Sequence, residues 1–296
     1  MLYHYYIYGL YFESDIQLYE SEKLLYNSPV NSDVTIKTSY HFLPETGSSN
    51  SNYSFSENRI WFSTDAGSFL IENGNSIYAA PKNDTSNNLL SAYLLGWCIN
   101  FLMFQRGCLG IHCSALSHGN RAFLISGHSG AGKSTTAISL IKNGYKLLSD
   151  DIAFTSVKDG FMVYPGLPLQ KMCRDIADSF CTGNNLVYID ELKDKFASID
   201  TESFDPYPRK LSKFFKLEIT DSDSVEYGVV SGFEKVSVLL NSLFMASLFR
   251  ASEYPVYIKN ECLKLAGEIE MIRIKRPSGK QTAVEICNII RNYLEE

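Results

Sequence analysis

Residues 122–142 carry the stretch that decides the fold, Ala122-Phe-Leu-Ile-Ser-Gly-His-Ser-Gly-Ala-Gly-Lys-Ser-Thr-Thr-Ala-Ile-Ser-Leu-Ile-Lys142. Its centre, Gly127–Ser134, has the pattern G-x-x-x-x-G-K-[ST], in which glycines let backbone N–H groups turn inward around a phosphate. An apolar run precedes this centre and a helix-forming run follows it, so a strand, a loop and a helix are predicted in that order. Such a loop at a helix N-terminus predicts a phosphate-binding site.

Different residues of the loop are expected to contact different parts of a nucleoside triphosphate and its metal ion. Lys133 would reach the β- and γ-phosphate oxygens, and the Ser134 hydroxyl would bind Mg²⁺. The remaining contacts would come from the whole loop and the residue after it, namely Gly127, His128, Ser129, Gly130, Ala131, Gly132, Lys133, Ser134 and Thr135. The motif therefore predicts ATP or GTP, with Mg²⁺, as ligands, and we take ATP as the expected nucleotide.

Two carboxylates, Asp150 and Asp151, follow the next predicted strand, Lys146–Ser149. We expect this strand to neighbour the strand before the loop, which would place both carboxylates at the carboxyl edge of the sheet. Ligands of open α/β sheets bind at that edge. One aspartate of such a pair can hold a metal ion, and the carboxylate beside it can accept a proton from an attacking hydroxyl. A solvated Asp-Asp turn is the alternative interpretation.

Three blocks of sequence together resemble a known family. Gly110–Ala115, Gly127–Ser134 and Lys142–Asp151 are similar in order and spacing to the catalytic domain of HPr kinase/phosphorylase. The resemblance implies an α/β fold, with a P-loop kinase domain of the HPr kinase/PEP carboxykinase-like type. It covers about residues 107–155 and is weak elsewhere.

Carried over by position, the resemblance assigns roles to four residues. It implies that His112, Lys133 and Asp151 are catalytic, with Asp151 as the base that deprotonates a serine hydroxyl, and that Ser134 holds Mg²⁺. Asp150 is then the expected second metal ligand. Without the family spacing, a histidine on an alternating strand is more often a core residue than a catalytic one.

The sequence also departs from the family pattern. His128 stands where the family usually has Asp, and Thr135 stands where Glu is common. The glutamate-containing segment expected downstream is not recognisable around residues 164–168, where Asp175 is the nearest acid. The expectation drawn from the resemblance therefore names neither HPr as the substrate nor the phosphorylase reaction.

The layout of the whole chain resembles the HPr-kinase-like peptide serine kinases of lasso-peptide biosynthesis, which phosphorylate the C-terminal serine of a precursor. This resemblance implies an ATP-dependent serine kinase acting on a peptide or small protein. Two alternatives stay open: a nucleotide-binding regulatory module without transfer, and a small-molecule kinase. The expected domains are residues 1–85, which are β-rich and would position substrate or form a subunit contact in a homo-oligomer, and residues 86–296, which are catalytic.

Short β-rich runs and later helices support this division. The predicted strands are Tyr3–Phe12, Val34–Phe42, Ile60–Ser63, Ser68–Ile71, Ser76–Ala79, Leu109–Ser117, Arg121–Ser126, Lys146–Ser149, Phe214–Ile219 and Glu270–Ile274. The predicted helices are Leu89–Gln105, the loop helix ending at Asn143, Gly232–Arg250, Pro255–Leu265 and Gln281–Leu294.

The amino-acid composition restricts the class of protein, its partners and its location in the cell. With 45% hydrophobic and 20% charged residues, the chain is typical of globular proteins. Its 27 basic and 33 acidic residues give a net charge of −6, which disfavours nucleic acid as a partner. Seven scattered cysteines without zinc spacing indicate reduced thiols and a cytoplasmic location. The uncharged stretch Thr85–Gln105 contains too many polar residues for a membrane span.

Two basic stretches lie outside these motifs. Arg209–Lys216 is basic and aromatic, which favours an edge strand protected by lysines over a site for an acidic peptide. Arg273, Lys275, Arg276 and Lys280 surround an expected strand-to-helix turn. A basic group there could stabilise a transferred phosphate, or it could be a helix-flanking charge cluster without a function.

Overall fold

The computed structural model describes residues 1–26, 31–42, 52–174, 186–190, 195–247 and 254–295, so Asp175 lies outside the described part. The fold is mixed α/β, as predicted. The chain divides into two compact units, Met1–Cys108 with Met172–Ile199 and Leu109–Lys171 with Asp200–Glu296. This division differs from the predicted boundary after residue 85, because the first unit also contains residues 86–108 and a segment that returns later in the chain.

A seven-stranded sheet is the main element of the first unit. Its strands are β1 (Tyr3–Ile7), β2 (Leu10–Ser14), β3 (Val34–Thr38), β4 (Tyr53–Phe55), β5 (Arg59–Ser63), β6 (Gly67–Glu72) and β7 (Ser76–Pro81), in the order β1-β2-β3-β7-β6-β5-β4. The run Tyr3–Phe12, predicted as one strand, folds as a hairpin because Tyr8 and Gly9 adopt positive φ values of 53° and 79°. This turn conformation reverses the chain between β1 and β2.

The helical part of the first unit is α1 (Asn87–Tyr93), a π-helical turn (Leu94–Cys98) and α2 (Ile99–Gln105). Ser86 caps the start, since its hydroxyl accepts a hydrogen bond from the Leu89 N–H. The ring of Phe101 packs edge-on against Phe55 of the sheet, with 5.8 Å between centroids. Among the described residues, no helix is both long and apolar enough to cross a membrane.

The second unit contains most of the remaining strands. The bounds are β8 (Leu109–His118), β9 (Arg121–Gly127), β10 (Lys146–Ser149), β11 (Ile152–Thr155), β12 (Met162–Val163), β13 (Leu169–Cys173), β14 (Leu186–Asp190), β15 (Lys195–Ile199), β16 (Arg209–Thr220), β17 (Glu226–Val229) and β18 (Glu270–Pro277). β14 and β15 pair with each other in the first unit.

An eight-stranded sheet organises the second unit, in the order β10-β8-β9-β16-β18-β17. β11 also pairs with β8, and β12 pairs with β16. β9, β16 and β18 are mutually parallel, so their carboxyl ends meet at one edge. The prediction that the strand before Asp150 neighbours the loop strand is wrong. β8 lies between β10 and β9, because the hairpin of β8 and β9 places β8 on that side of the loop strand.

The α-helices of the second unit, within its described residues, are α3 (Lys133–Lys142), α4 (Glu234–Ser242), α5 (Val256–Glu268) and α6 (Ala283–Glu295). Residues of α3 and α6 form a buried cluster with Phe123, Phe215 and Ile272 of the sheet. Each fully buried side chain of this size contributes about 1.5–3 kcal/mol. The helix predicted over Gly232–Arg250 is shorter, since the chain becomes extended at Leu243, which forms a bridge with Ile111.

The basic and aromatic stretch Arg209–Lys216 is not an edge strand, contrary to expectation. β16 lies inside the sheet between β9 and β18. Phe214 and Phe215 are fully buried, and Lys216 is 5% exposed. The Lys216 Nζ donates to the Ser242 hydroxyl at 3.0 Å, and burial lowers the pKa of this lysine. The apolar residues of the stretch therefore belong to the core.

Candidate functional site

The phosphate motif forms a tight loop between β9 and α3. The Ala131 N–H donates to the His128 carbonyl at 3.1 Å, which closes the turn. Gly130 and Gly132 adopt φ values of 81° and 101°, which side chains other than hydrogen rarely allow. His128, Ser129 and Gly130 are exposed, so the tip of the loop faces solvent. The glycines of the motif therefore serve the conformation for which the sequence predicted them.

Gly127 is required for a different reason, the close approach of a neighbouring strand. A Cβ atom on Gly127 would lie 2.6 Å from the Leu217 carbonyl oxygen and 3.0 Å from the Ala131 Cβ. Leu217 belongs to β16, which pairs with β9 at this point. The start of the loop is thus fixed against the sheet.

Lys133 begins α3 and lies over the loop. Its Nζ donates to the Gly127 carbonyl at 2.7 Å and to the His128 carbonyl at 3.3 Å. An ammonium group at a helix N-terminus sits where the backbone N–H groups and the helix dipole already favour an anion. A phosphate oxygen would be a stronger acceptor for this group than a carbonyl, because the hydrogen bond would join two charges.

The acidic pair interrupts a strand that runs along β8. Ser149 lies opposite Ala115 and Ile152 lies opposite His112, so the register continues through Asp150 and Asp151. The Ser114 hydroxyl donates to Asp150 Oδ1 at 2.7 Å, and the Lys171 N–H donates to Oδ2 at 2.8 Å. Burial raises the pKa of the Asp150 carboxyl, the nearby Asp151 charge adds to the rise, and the hydrogen bond from Ser114 opposes it.

Asp151 has a left-handed backbone, with φ 74°. Such a conformation costs about 1–3 kcal/mol for most residues, although Asp tolerates it better than most. The Lys171 Nζ lies 2.8 Å from Asp151 Oδ2. His112 Nδ1 lies 2.9 Å from the Asp151 carbonyl oxygen and 3.4 Å from its Oδ1. Both partners of Nδ1 are acceptors, so we assign the ring hydrogen to that nitrogen.

Cys113 of β8 lies between the strand that leads into the loop and the acidic pair. It lies opposite Ser126 of the loop strand on one side, and on the other its N–H donates to the Asp151 carbonyl at 3.3 Å. Two strand spacings, about 10 Å, therefore separate Ser126 from Asp151. Burial raises the pKa of the Cys113 thiol, Asp150 and Asp151 add to the rise, and Lys133 opposes it.

Two side chains of the site have the chemistry that could bind a magnesium ion together with nucleotide phosphates. Among the described residues, no group of three or more His, Cys, Asp or Glu side chains could hold a metal ion by itself. Mg²⁺, however, usually binds through one or two carboxylates together with substrate phosphates. The Ser134 hydroxyl and the Asp150 carboxylate are oxygen donors of the required kind.

The comparisons with known proteins include a distant structural likeness. No family model matches the chain, and no curated protein matches it. A solved structure of the HPr(Ser) kinase/phosphatase from Coxiella burnetii is similar with a TM-score of 0.31 and 14% identity, over 62% of this chain and 89% of that one.

Two site residues, Lys171 and Arg276, have contacts that the sequence did not reveal. Lys171 bonds to both aspartates although it is 20 residues from Asp151 in sequence. No local pattern marks it, because its position depends on how the strand over Leu169–Cys173 folds back. Arg276 belongs to the basic cluster noted above, and the guanidinium contacts the loop.

Proposed function

We propose that the chain is an ATP- and Mg²⁺-dependent phosphotransferase that phosphorylates a serine hydroxyl of a peptide or small protein. One observation carries the proposal: the phosphate loop and the acidic pair lie on opposite sides of the same strand, β8. A γ-phosphate on the loop and a hydroxyl near Asp151 would then face each other across that strand. Phosphoryl transfer needs mainly such positioning, together with charge neutralisation.

Each residue has a defined part in this reaction. The serine oxygen would attack the γ-phosphorus, its proton would pass to the Asp151 carboxylate, and the bond between the γ-phosphorus and the bridging oxygen would break to release ADP. Lys133 would bind the phosphate oxygens. His112 would orient Asp151 through Nδ1. Ser134 and Asp150 would hold Mg²⁺, which supplies charge neutralisation at the phosphates when bound.

The acceptor is the finer part of the proposal. The sequence resemblance supports the C-terminal serine of a lasso-peptide precursor, and a small-molecule acceptor is the alternative within the same chemistry. The first unit, with its seven-stranded sheet, would position the peptide or form a subunit contact. The net charge of −6 favours neither acceptor strongly, although it disfavours nucleic acid.

Lys171 favours a second candidate function, a nucleotide-binding regulatory module without transfer. Its ammonium group lies 2.8 Å from the carboxylate proposed as the base. A bound ammonium ion competes with a hydroxyl proton for the same oxygen. If Lys171 stays on Asp151 when nucleotide binds, the chain would bind ATP but transfer nothing.

One experiment separates these candidates. The purified chain is incubated with γ-labelled ATP, Mg²⁺ and serine-containing peptides, including lasso-peptide precursors that end in serine, while ATP binding is measured by calorimetry. Phosphopeptide formation supports the kinase. ATP binding without any phosphopeptide supports the regulatory module. In a parallel incubation with a metabolite pool, a phosphorylated metabolite detected by mass spectrometry supports the small-molecule kinase. Lys133→Ala should weaken ATP binding, whereas Lys142→Ala at the other end of α3 should not. Normal binding by Lys133→Ala would contradict the assignment of the loop.

A further inference from the structure

Arg276 lies near the end of β18, and its side chain reaches the phosphate loop. Its Nη2 donates to the Gly130 carbonyl at 2.8 Å, and its Nε donates to the Ala131 carbonyl at 2.9 Å. Nη1 donates to the Pro277 carbonyl at 3.2 Å, which fixes the guanidinium against its own strand. A half-buried guanidinium therefore joins two consecutive carbonyl groups of the loop to the sheet.

These hydrogen bonds determine the orientation of the loop peptides. In a trans peptide, the C=O of one residue and the N–H of the next point to opposite sides. With the Ala131 carbonyl held by Arg276, the Gly132 N–H points away from the guanidinium. Backbone N–H groups that are left facing the inside of such a loop bind phosphate oxygens.

Gly132 is matched to this arrangement. A Cβ atom there would lie 3.4 Å from the Arg276 Nε, and the φ of 101° is one that other residues rarely adopt. Two other cations of the basic cluster bond elsewhere: Arg273 contacts Glu218 and Glu234, and Lys280 contacts Asp223. The contact with the loop is therefore specific to Arg276 among these three residues.

We propose that Arg276 is a positioning residue of the nucleotide site, which holds the phosphate loop in the conformation that binds the phosphates of a nucleoside di- or triphosphate. The identity of the ligand rests on the function proposed above, whereas the ordering of the loop does not. The planar fork matters as well as the charge, since one ammonium group cannot reproduce the paired donors of a guanidinium.

The test compares Arg276→Lys and Arg276→Gln with the wild-type chain and with Arg273→Gln as a matched control on the same strand. Three quantities are measured: the Kd for ATP and for ADP with Mg²⁺, the melting temperature, and hydrogen exchange of the peptide covering residues 127–134 without nucleotide. Both Arg276 variants should bind nucleotide about tenfold to a hundredfold more weakly. Their loop should exchange faster, at a melting temperature close to that of Arg273→Gln.

The possible outcomes are distinct. Unchanged loop exchange in both Arg276 variants overturns the proposal, whether or not nucleotide binds. Nucleotide binding by Arg276→Lys at the wild-type affinity would show that a positive charge is sufficient and that the paired donors of the guanidinium are not needed. This result also overturns the proposal. If the wild-type chain binds neither nucleotide, the proposed function fails, while faster exchange in the Arg276 variants would still support the ordering of the loop.

Discussion

Asp151 is the residue at which binding and chemistry can be separated. Asp151→Asn keeps the size of the side chain and removes its capacity to accept a proton, so transfer should fall by about 10²–10⁴ while the Kd for ATP changes little. Asn also tolerates the left-handed backbone at this position. Asp159→Asn, at an exposed turn, is the control. Transfer at the wild-type rate by Asp151→Asn would eliminate the proposed base.

Lys216 gives a prediction about stability and pH. Burial lowers its pKa below the usual 10.5, so the unfolded chain binds more protons than the folded chain in the window just below pH 10.5. The contribution of Lys216 to stability therefore rises as the pH increases through that window. Lys216→Met should remove this rise and should increase the melting temperature at pH 7, by about 2–4 °C for each kcal/mol by which the burial cost is relieved.

The measurement for Lys216 is urea unfolding between pH 7 and pH 10.5. Lys210→Met, at an exposed position on the same strand, is the control and should leave the pH dependence as in the wild-type chain. Parallel pH curves for Lys216→Met and the wild-type chain would contradict the prediction.

At the scale of elements, the contact between β9 and β16 predicts the effect of a single methyl group. Gly127→Ala would force a Cβ atom to 2.6 Å from the Leu217 carbonyl. We expect a loss of about 1–3 kcal/mol in the free energy of unfolding and weaker ATP binding. Gly267→Ala in α5, where the new methyl meets open space, should be neutral or stabilising by up to about 1 kcal/mol. Thermal melting and calorimetry would check both, and equal stability of the two variants would refute the packing argument.

Elements with a strong local signal were predictable from the sequence. The strand before the loop, the helix after it and the strand Lys146–Ser149 are confirmed, and their ends lie within one or two residues of the predicted ones. Apolar periodicity and turn residues are signals carried by the segment itself, which is why these elements could be predicted. The interior position of β16 was not predictable, because its lysines suggested an edge. The neighbours of a strand depend on the pairing of the whole sheet. The lysines of β16 indicate only that parts of the strand are accessible to solvent, and they do not show whether the strand lies at an edge.

The candidate site shows the same difference between local and distant information. The loop and the acidic pair are contiguous in sequence and were found there. Lys171 and the contacts of Arg276 arise where distant segments meet, so spacing in sequence carries no trace of them. The roles of all these residues remain predictions.

At the scale of the whole molecule, the two compact units predict independent responses to nucleotide. A ligand that binds one unit stabilises that unit by mass action. We expect two transitions in calorimetric unfolding, of which Mg²⁺-ATP raises one. Hydrogen exchange should place the protected peptides in residues 109–171 and 200–295. A single transition, or equal shifts in both, would contradict this expectation.

The return of residues 172–199 to the first unit also has a consequence for synthesis on the ribosome. When residue 171 has been made, the first unit still lacks its last segment and the second unit still lacks β16 and β18. The core of the second unit cannot close without these two strands of its sheet, so the nascent chain must stay partly open until later residues emerge, at about 5–20 residues per second. A chain interrupted there would expose apolar strands, and chaperone dependence during translation should peak over that interval.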